Sequence, residues 1–336
     1  MSHANIALFI PHQGCPHQCS FCNQKRITGQ QTQPTGTDVK SAVETALSSG
    51  KCSRENTEIA FFGGSFTAVA QSLQEELLSA AFAYIKGGFV SGVRISTRPD
   101  CIDETVLRFL KKYGVTAIEL GAQSMDDHVL AMNHRGHTAA QVAEASRLIK
   151  EHGFSLGLQM MTGLYGSTAE LDRITAEKLA DLQPDTMRIY PTIVMEDTLL
   201  ADLYRAGAYT PPSLEETVEL CSDLLDFFEQ RRMKVIRLGL HSSDELEHRI
   251  AGPYHPAFAE LCYSHRFLQT LTAFLQKEKI PKGPLFIGVA PKFLSKAIGQ
   301  GKCNLKALSA LGYDCRFFGD PAVMPGAFRL AQYIPE

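Results

Sequence analysis

Short apolar runs alternate with amphipathic stretches along the first 190 residues, and this alternation constrains the fold more than any other feature. Strand–helix alternation of this kind is typical of parallel strands joined by crossover helices. Right-handed crossovers roll such a sheet into an open or closed barrel. The predicted strands are Ile6–Ile10, Ile59–Phe62, Val93–Ser96, Ala117–Leu120, Leu156–Met161 and Thr186–Tyr190. The predicted helices are Asp38–Ser49, Leu73–Ile85, Asp103–Tyr113, Ala139–Glu151 and Ala169–Leu182.

The pattern changes after Pro191. A long amphipathic helix is predicted over Leu214–Arg231, a further strand over Val235–Leu240, and a Gly- and Pro-rich loop over 249–259. Short strands and helices return after Pro281. We therefore predict a core at 1–192, a helical and loop extension at 193–280 that completes or covers the barrel, and a small α/β unit at 281–336.

Composition limits the partners and the compartment. The net charge of −3 gives no global basic field that would attract nucleic acid. No run of about 20 apolar residues is present, so no membrane partner is expected. The sequence does not open with a signal peptide, and the nine cysteines are too scattered for a disulfide framework. We predict a cytoplasmic protein.

Three cysteines stand close together directly after the first predicted strand, at Cys15, Cys19 and Cys22. Gaps of three and then two residues let a short loop place three thiolates on one face of a cubic iron–sulfur cluster. Three ligands for four irons leave one iron open to a small chelating molecule. Two alternatives remain at this point: a zinc site with His12 or His17 as fourth ligand, and three ordinary thiols.

The Cys15–Cys22 segment, with Phe21 before the last cysteine, resembles the signature of the radical S-adenosylmethionine (SAM) superfamily. The resemblance covers roughly residues 5–195 and implies a partial (β/α)6 barrel. It also implies a [4Fe–4S] cluster held by Cys15, Cys19 and Cys22, which are then both metal-binding and catalytic. One electron would cleave SAM to a 5′-deoxyadenosyl radical. An electron donor such as flavodoxin or ferredoxin is then required.

Further segments resemble the same superfamily in the expected order and imply SAM contacts. A Gly63-Gly64 pair allows the close backbone approach that a Cβ would block. Arg135 carries the forked donors that suit the methionine carboxylate, and Met161 would pack on adenine. The implied contacts are Phe21, Gly63, Gly64, Ser65, Ser96, Thr97, Gln123, Arg135, Gln159 and Met161.

Several strand ends resemble the radical core of the catalytic subunit of Elongator. The segments are Ile95–Asp100, Glu119–Ser124 and Arg188–Thr192. Arg98, Arg188 and Tyr190 are candidates for facing the substrate. The acetyltransferase domain of those relatives is expected to be absent, because too few residues remain after Tyr190 and no Gly-rich acyl-coenzyme A loop is found among them.

Two later segments add candidates. Residues 289–312 resemble a KH module, in which a glycine loop between two helices clamps a single strand. Gly299–Lys302 falls at that loop, although Lys302 replaces the usual last glycine. A plain α/β cap is the alternative. The segment Gly252–Phe258 suggests a lid that brings Tyr254 and His255 to the substrate, or else a proline-stiffened connector.

The sequence thus predicts a radical SAM enzyme that modifies RNA, for example a tRNA base presented by the KH-like unit. One alternative is a radical SAM enzyme acting on a tetrapyrrole, a peptide or a small metabolite. A second alternative, from another class, is a non-catalytic RNA-binding protein with a structural zinc.

Overall fold

A computed structural model describes residues 4–11, 18–22, 33–50, 52–53, 55–240 and 244–332. Its central feature is a seven-stranded sheet whose strands follow one another in chain order. Each of the first five strands pairs in parallel with the next. The strands are β1 (Ala4–Ile10), β2 (Thr57–Gly63), β3 (Gly92–Thr97), β4 (Val115–Gln123), β5 (Ser155–Thr162), β6 (Thr186–Pro191) and, at the far edge of the sheet, Lys234–Leu238. The predicted α/β class and partial (β/α)6 barrel are confirmed.

The crossover helices begin where the sequence supplies N-terminal caps. Thr35 and Thr138 each form a capping box, and the side chains of Asp103 and Thr168 each accept from a backbone N–H of the first turn. The helices are α1 (Gly36–Ser48), α2 (Gln71–Lys86), α3 (Glu104–Lys112), α4 (Asp127–Met132), α5 (Ala139–Glu151) and α6 (Ala169–Asp181). Their apolar faces and the apolar strands bury a common core, so the carboxyl ends of the strands are left to carry polar groups.

The sequence pattern missed α4 and several short elements. The first of these follow β6: β7 (Val194–Met195) and α7 (Leu199–Arg205). These are too short for a periodic pattern to reveal them. The strand predicted over Thr186–Tyr190 extends one residue further, because Pro191 is the last residue of β6 and pairs with Thr162.

The later elements begin with α8 (Leu214–Gln230) and β8 (Lys234–Leu238), the far-edge strand named above. The loop predicted over 249–259 was wrong at both ends. Its first residues form β9 (Arg249–Ala251), which pairs antiparallel with β7. The helix α9 (Phe258–Lys277) begins before the loop was expected to end.

The chain divides into two compact units. The first comprises 1–212, 228–237 and 241–253 and contains the half-barrel; the second comprises 213–227, 238–240 and 254–336. The second unit has a three-stranded sheet, in which the central strand β10 (Gly283–Val289) pairs in parallel with β11 (Tyr313–Gly319) and antiparallel with β12 (Phe328–Ala331). Its elements include α9, β10 (Gly283–Val289), α10 (Leu294–Ile298), α11 (Cys303–Ala310), β11 (Tyr313–Gly319) and β12 (Phe328–Ala331).

A separate apolar core fills the second unit, with Phe267, Leu271, Ile287, Val289 and Leu308 among its buried members. The three-part division predicted from the sequence stays a prediction. Across the described ranges, no helix has the length and apolar character that crossing a bilayer requires.

Candidate active site

The described part of the cysteine loop lies between β1 and α1. Cys22 donates its backbone N–H to the carbonyl oxygen of Cys19, 3.1 Å away, which makes a turn between the two thiols. Cys19 is buried and Cys22 is half-buried. Cys15, the third predicted ligand, lies outside the described residues, as do His12 and His17 of the zinc alternative.

Arg135 reaches this loop from the turn that follows α4. Its Nη1 donates to the Sγ of Cys19 at 3.1 Å, and its Nη2 donates to the carbonyl oxygen of Gly121 at 2.6 Å. The guanidinium also lies 6.0 Å from the centre of the Phe21 ring. Hydrogen bonds to the ligating sulfurs are a regular feature of iron–sulfur sites, and Arg135 supplies such a donor to Cys19. This donor set fits an iron–sulfur cluster better than it fits an inert thiol.

One atom of this guanidinium and one atom of a neighbouring side chain are buried and have no hydrogen-bond partner among the described residues. They are Oε1 of Gln123 and Nε of Arg135. Gln123 has a positive φ of 66°, which is rare for a residue other than glycine. A Cβ at Gly121 would lie 3.0 Å from Nε2 of Gln123 and 3.5 Å from Nη2 of Arg135. Gly121 leaves its backbone accessible, and the two buried atoms beside it need hydrogen-bond partners. A polar ligand such as SAM would supply those partners.

The predicted contacts Ser65 and Thr97 bond within the protein. The Oγ of Ser65 and the Oγ1 of Thr97 are 2.8 Å apart, and Thr97 also contacts the hydroxyl of Thr67. The Arg98 N–H donates to Oγ of Ser65 at 3.2 Å. Nearby, Gly63 ends β2 with a φ of 99°, and Gly64 donates to the carbonyl oxygen of Ile10 at 2.8 Å. The hydroxyl cluster therefore joins the carboxyl ends of β2 and β3.

Arg98 binds other residues of the site through its buried guanidinium. Its guanidinium pairs with Asp100, with Nε 2.9 Å from Oδ1, and also donates to the carbonyl oxygen of Arg135. Only 3% of Arg98 is exposed, so these contacts occupy a buried position. A role in facing the substrate stays a prediction.

Glu119 is a buried carboxylate in the middle of β4 that sequence reasoning did not select. Its oxygens accept hydrogen bonds from Nη2 of Arg188 at 2.9 Å, Nε2 of Gln159 at 3.0 Å and Nη1 of Arg94 at 3.4 Å. Only 1% of Glu119 is exposed. The one acidic residue of a largely apolar strand was the signal that could have found it, because a buried carboxylate needs cationic partners.

This network also engages predicted site residues. Arg188 lies 4.8 Å from the centre of the Phe62 ring, and its Nη1 is 3.4 Å from the hydroxyl of Tyr190. Gln159 contacts Oγ of Ser96 at 3.4 Å. The structure thus brings Ser96, Gln159, Arg188 and Tyr190 together around Glu119. Met161 is half-buried on the same strand as Gln159.

His137 and Asp172 are buried titratable groups at the same end of the sheet. The Nε2 of His137 lies 3.1 Å from the carbonyl oxygen of Ala122, and burial together with the charge of Arg135 lowers the pKa of His137 to about 4. Asp172 accepts from the hydroxyl of Ser167 at 2.6 Å, and burial raises the pKa of Asp172 to about 6. His137 is therefore neutral at pH 7.

The second unit holds the remaining predicted residues. His255 accepts from the backbone N–H of Ala257 at 3.0 Å through Nδ1, and Tyr254 is half-buried. Gly299 and Lys302 have positive φ values of 80° and 62°, and Lys302 is exposed. They bound the turn between α10 and α11, so the sequence located this turn correctly. The substrate roles of all four residues stay predictions.

Fold and site define an enzyme class in which a thiol-bearing loop follows the first strand of a parallel half-barrel. The model of the radical SAM superfamily matches residues 9–178, which is half of the chain. The model of the radical SAM C-terminal domain matches residues 184–268. The chain therefore belongs to the radical SAM superfamily and is a radical SAM enzyme. Residues 281–336 lie outside both matches, and the KH resemblance stays a prediction.

Several relatives share the radical core, which confirms the predicted resemblance to Elongator. The tRNA uridine(34) acetyltransferase of Methanocaldococcus jannaschii is 34% identical over 131 residues, covering 38% of this chain and 24% of that protein. Elongator complex protein 3 of Homo sapiens is 35% identical over 138 residues, covering 40% of this chain and 25% of that protein.

A third relative extends the match. The tRNA uridine(34) acetyltransferase of Dehalococcoides mccartyi is 26% identical over 239 residues, covering 61% of this chain and 52% of that protein. The chain therefore spans about a quarter to a half of the length of these relatives. Among solved structures, an N-terminally truncated Elp3 of Methanocaldococcus infernus has a TM-score of 0.63 at 19% identity. It covers 84% of this chain and 66% of that chain, which shows a shared fold.

Proposed function

We propose that this protein binds a [4Fe–4S] cluster through Cys15, Cys19 and Cys22 and uses it to cleave SAM. The single observation that carries the proposal is the hydrogen bond from Arg135 to the Sγ of Cys19 at 3.1 Å. When bound, the cluster supplies the electron that breaks the C–S bond of SAM and yields a 5′-deoxyadenosyl radical.

The protein residues bind and orient the small molecule in this proposal. Oε1 of Gln123 accepts from a ribose hydroxyl, and Arg135 balances the methionine carboxylate while it holds Cys19. Phe21 packs in an apolar cluster of Val194, Leu200, Ala201 and Tyr209, which limits the access of water on that side. Excluding water protects a carbon radical from side reactions.

We further propose that the substrate is RNA, such as a tRNA base. Two of the relatives described above are tRNA uridine(34) acetyltransferases, which favours this class. Charge also favours it, because residues 254–336 contain ten Lys or Arg and five Asp or Glu, whereas the whole chain contains 33 and 36. A basic region of this kind is suited to phosphates. The reductant, such as flavodoxin or ferredoxin, and the cytoplasmic location belong to the same proposal.

Anaerobic reconstitution tests the cluster. We expect about four irons and four sulfides per chain, a brown absorption band, and 5′-deoxyadenosine after addition of dithionite and SAM. Cys19→Ala should abolish all three, whereas Cys303→Ala, an exposed thiol in the second unit, should leave them unchanged. Bound zinc with no 5′-deoxyadenosine would overturn the proposal in favour of the zinc protein.

Mass spectrometry of nucleosides tests the substrate. RNA from cells with and without the gene should differ in one modified nucleoside, and the Cys19→Ala gene should fail to restore it. Identical nucleoside profiles, with 5′-deoxyadenosine still formed in vitro, would reject RNA and leave the tetrapyrrole, peptide or metabolite alternative.

A further inference from the structure

Asn133 is completely buried at the end of α4, at a point where three segments of the half-barrel unit meet. It follows the last residue of the helix, and its backbone N–H still donates to the carbonyl oxygen of Val129 at 3.1 Å. No ligand contact was predicted for it from the sequence. Every hydrogen-bonding group of its side chain is used within the protein.

The first of the three segments is the cysteine loop. The hydroxyl of Ser20 donates to Oδ1 of Asn133 at 2.7 Å, and the backbone N–H of Ser20 donates to the carbonyl oxygen of Asn133 at 3.1 Å. The carbonyl oxygen of Ser20 accepts from the N–H of Leu200 at 2.8 Å. Ser20 is therefore held at its side chain and at both of its backbone polar groups, and it is itself 0% exposed.

The other two segments are α4 and the loop after β5. Nδ2 of Asn133 donates to the carbonyl oxygens of Val129 and Tyr165, each at 2.8 Å. The Tyr165 ring contacts the Tyr209 ring edge-on at 6.0 Å, and the Tyr209 hydroxyl donates to the carbonyl oxygen of Gly163 at 2.6 Å. The Nδ2 end of the Asn133 amide is thus fixed by two carbonyl oxygens, which orients Oδ1 toward Ser20.

Only an amide of this length supplies one acceptor and two donors at this point. Aspartate would offer acceptors alone, and alanine would leave the hydroxyl of Ser20 and two carbonyl oxygens without partners. Ser20 adjoins Cys19 and is separated from Cys22 by one residue. A small displacement of Ser20 therefore moves both thiols. Residues that contact the ligands of a metal centre commonly orient those ligands.

We propose that Asn133 is a positioning residue for the cluster, which it serves by fixing Ser20 between two of the ligating cysteines. The inference rests on the proposed function, because it requires the cluster to be there. Its physical basis is preorganisation: a loop already fixed in its bound form loses less conformational entropy when it binds.

The experiment measures how fast the reconstituted cluster is lost to an iron chelator under anaerobic conditions, followed by its visible absorption. We expect Ser20→Ala to speed the loss about fivefold, the worth of one buried hydrogen bond, and Asn133→Ala by at least about tenfold. In the Ser20→Ala and Asn133→Ala double variant, the combined acceleration should fall well short of the product of the two single effects, because the two side chains share one hydrogen bond.

The matched control is Asn304→Ala in the second unit. Asn304 is also buried, and its Nδ2 contacts the carbonyl oxygens of Ser264 and Ala297 at 3.0 and 3.1 Å. This variant should lose thermal stability but keep the wild-type rate of cluster loss. Circular dichroism of each apoprotein separates a misfolded variant from a folded one, and Ser20→Ala, the milder change, carries the test if Asn133→Ala misfolds.

The outcomes distinguish a failure of the positioning role from a failure of the proposed function. If the wild-type protein takes up no iron–sulfur cluster, the proposed function itself fails. If the wild type holds the cluster and folded Ser20→Ala and Asn133→Ala lose it at the wild-type rate, the positioning role is wrong and the proposed function stands. Equal acceleration in Asn304→Ala would also overturn the role, because it would reduce the effect to general stability.

Discussion

Nη1 of Arg135 lies 3.1 Å from Sγ of Cys19, although 116 positions separate the two residues in the chain. The turn after α4 makes this possible, since His134 and Gly136 on either side of Arg135 adopt positive φ values of 53° and 72°. The same guanidinium is anchored on Gly121 at the end of β4. The cation is therefore fixed by the sheet and directed at a thiol of the cysteine loop.

Arg135→Gln should make the reduction potential of the cluster more negative. A hydrogen bond from a cation withdraws electron density from a ligating sulfur, so removing it disfavours the reduced cluster. The potential is measured by redox titration followed by electron paramagnetic resonance, without SAM. Arg147→Gln, which removes an exposed arginine paired with Glu144 and Glu151 on α5, is the control and should leave the potential unchanged. An unchanged potential in Arg135→Gln would contradict the proposed influence on the cluster.

Glu119→Gln should destabilise the fold strongly. The carboxylate pairs with Arg188 and Arg94 at 1% exposure, and removing one member of a buried ion pair costs about 3–5 kcal/mol. Chemical unfolding monitored by circular dichroism gives the free energy of unfolding. Glu144→Gln removes an exposed carboxylate on α5 and should leave that free energy unchanged. A loss below about 1 kcal/mol in Glu119→Gln would show that the network is not stabilising.

The pH dependence of stability should reveal two opposing buried groups. The pKa of His137, which faces Arg135, Arg98 and Asp100, is lowered from 6.5 to about 4. The unfolded chain therefore binds a proton there that the folded protein does not, and acidification from pH 6.5 to 4 removes stability. The pKa of Asp172 is raised from 3.8 to about 6, so the folded protein binds the extra proton and acidification from pH 6 to 4 adds stability.

The two contributions should nearly cancel in the wild type between about pH 4 and 6. Asp172→Asn should unmask His137 and lose stability on acidification relative to wild type, by about 1.4 kcal/mol per pH unit. His137→Gln should gain stability on acidification relative to wild type, because only the contribution of Asp172 remains. Urea unfolding at pH 6 and pH 4.5 measures each slope, and parallel slopes in all three proteins would show that the pKa values are not shifted as stated.

Replacing lysines of the second unit should weaken RNA binding in a salt-dependent way. Lys302 and Lys306 are exposed at and just after the turn between α10 and α11. Each lost phosphate contact should reduce the slope of log affinity against log salt by about 0.7. Fluorescence anisotropy with a single-stranded RNA measures this for Lys302→Ala and Lys306→Ala. Lys40→Ala on α1, also exposed, should match the wild type, and equal slopes in all variants would reject this surface as a phosphate contact.

The sequence alone determined the parallel half-barrel, because six apolar runs alternate with capped amphipathic helices and leave few other topologies. Motifs spaced along the strand ends also identified the superfamily. These features are local in the chain, so periodicity and short motifs can carry them. The roles that the resemblance implies for Cys19, Gln123 and Arg135 in binding the cluster and SAM stay predictions.

Only the tertiary structure decided which side chains meet. Strands and turns that are distant in sequence bring the partners of three contacts together. These contacts join Arg135 to Cys19, Arg98 to Ser65, and Glu119 to Arg188. No role was assigned to Asn133 from the sequence, because its importance lies in contacts with Ser20 and Tyr165 across 113 and 32 positions. Hydrogen bonds depend on distance and direction in space, and for residues far apart in the chain only the folded structure fixes both.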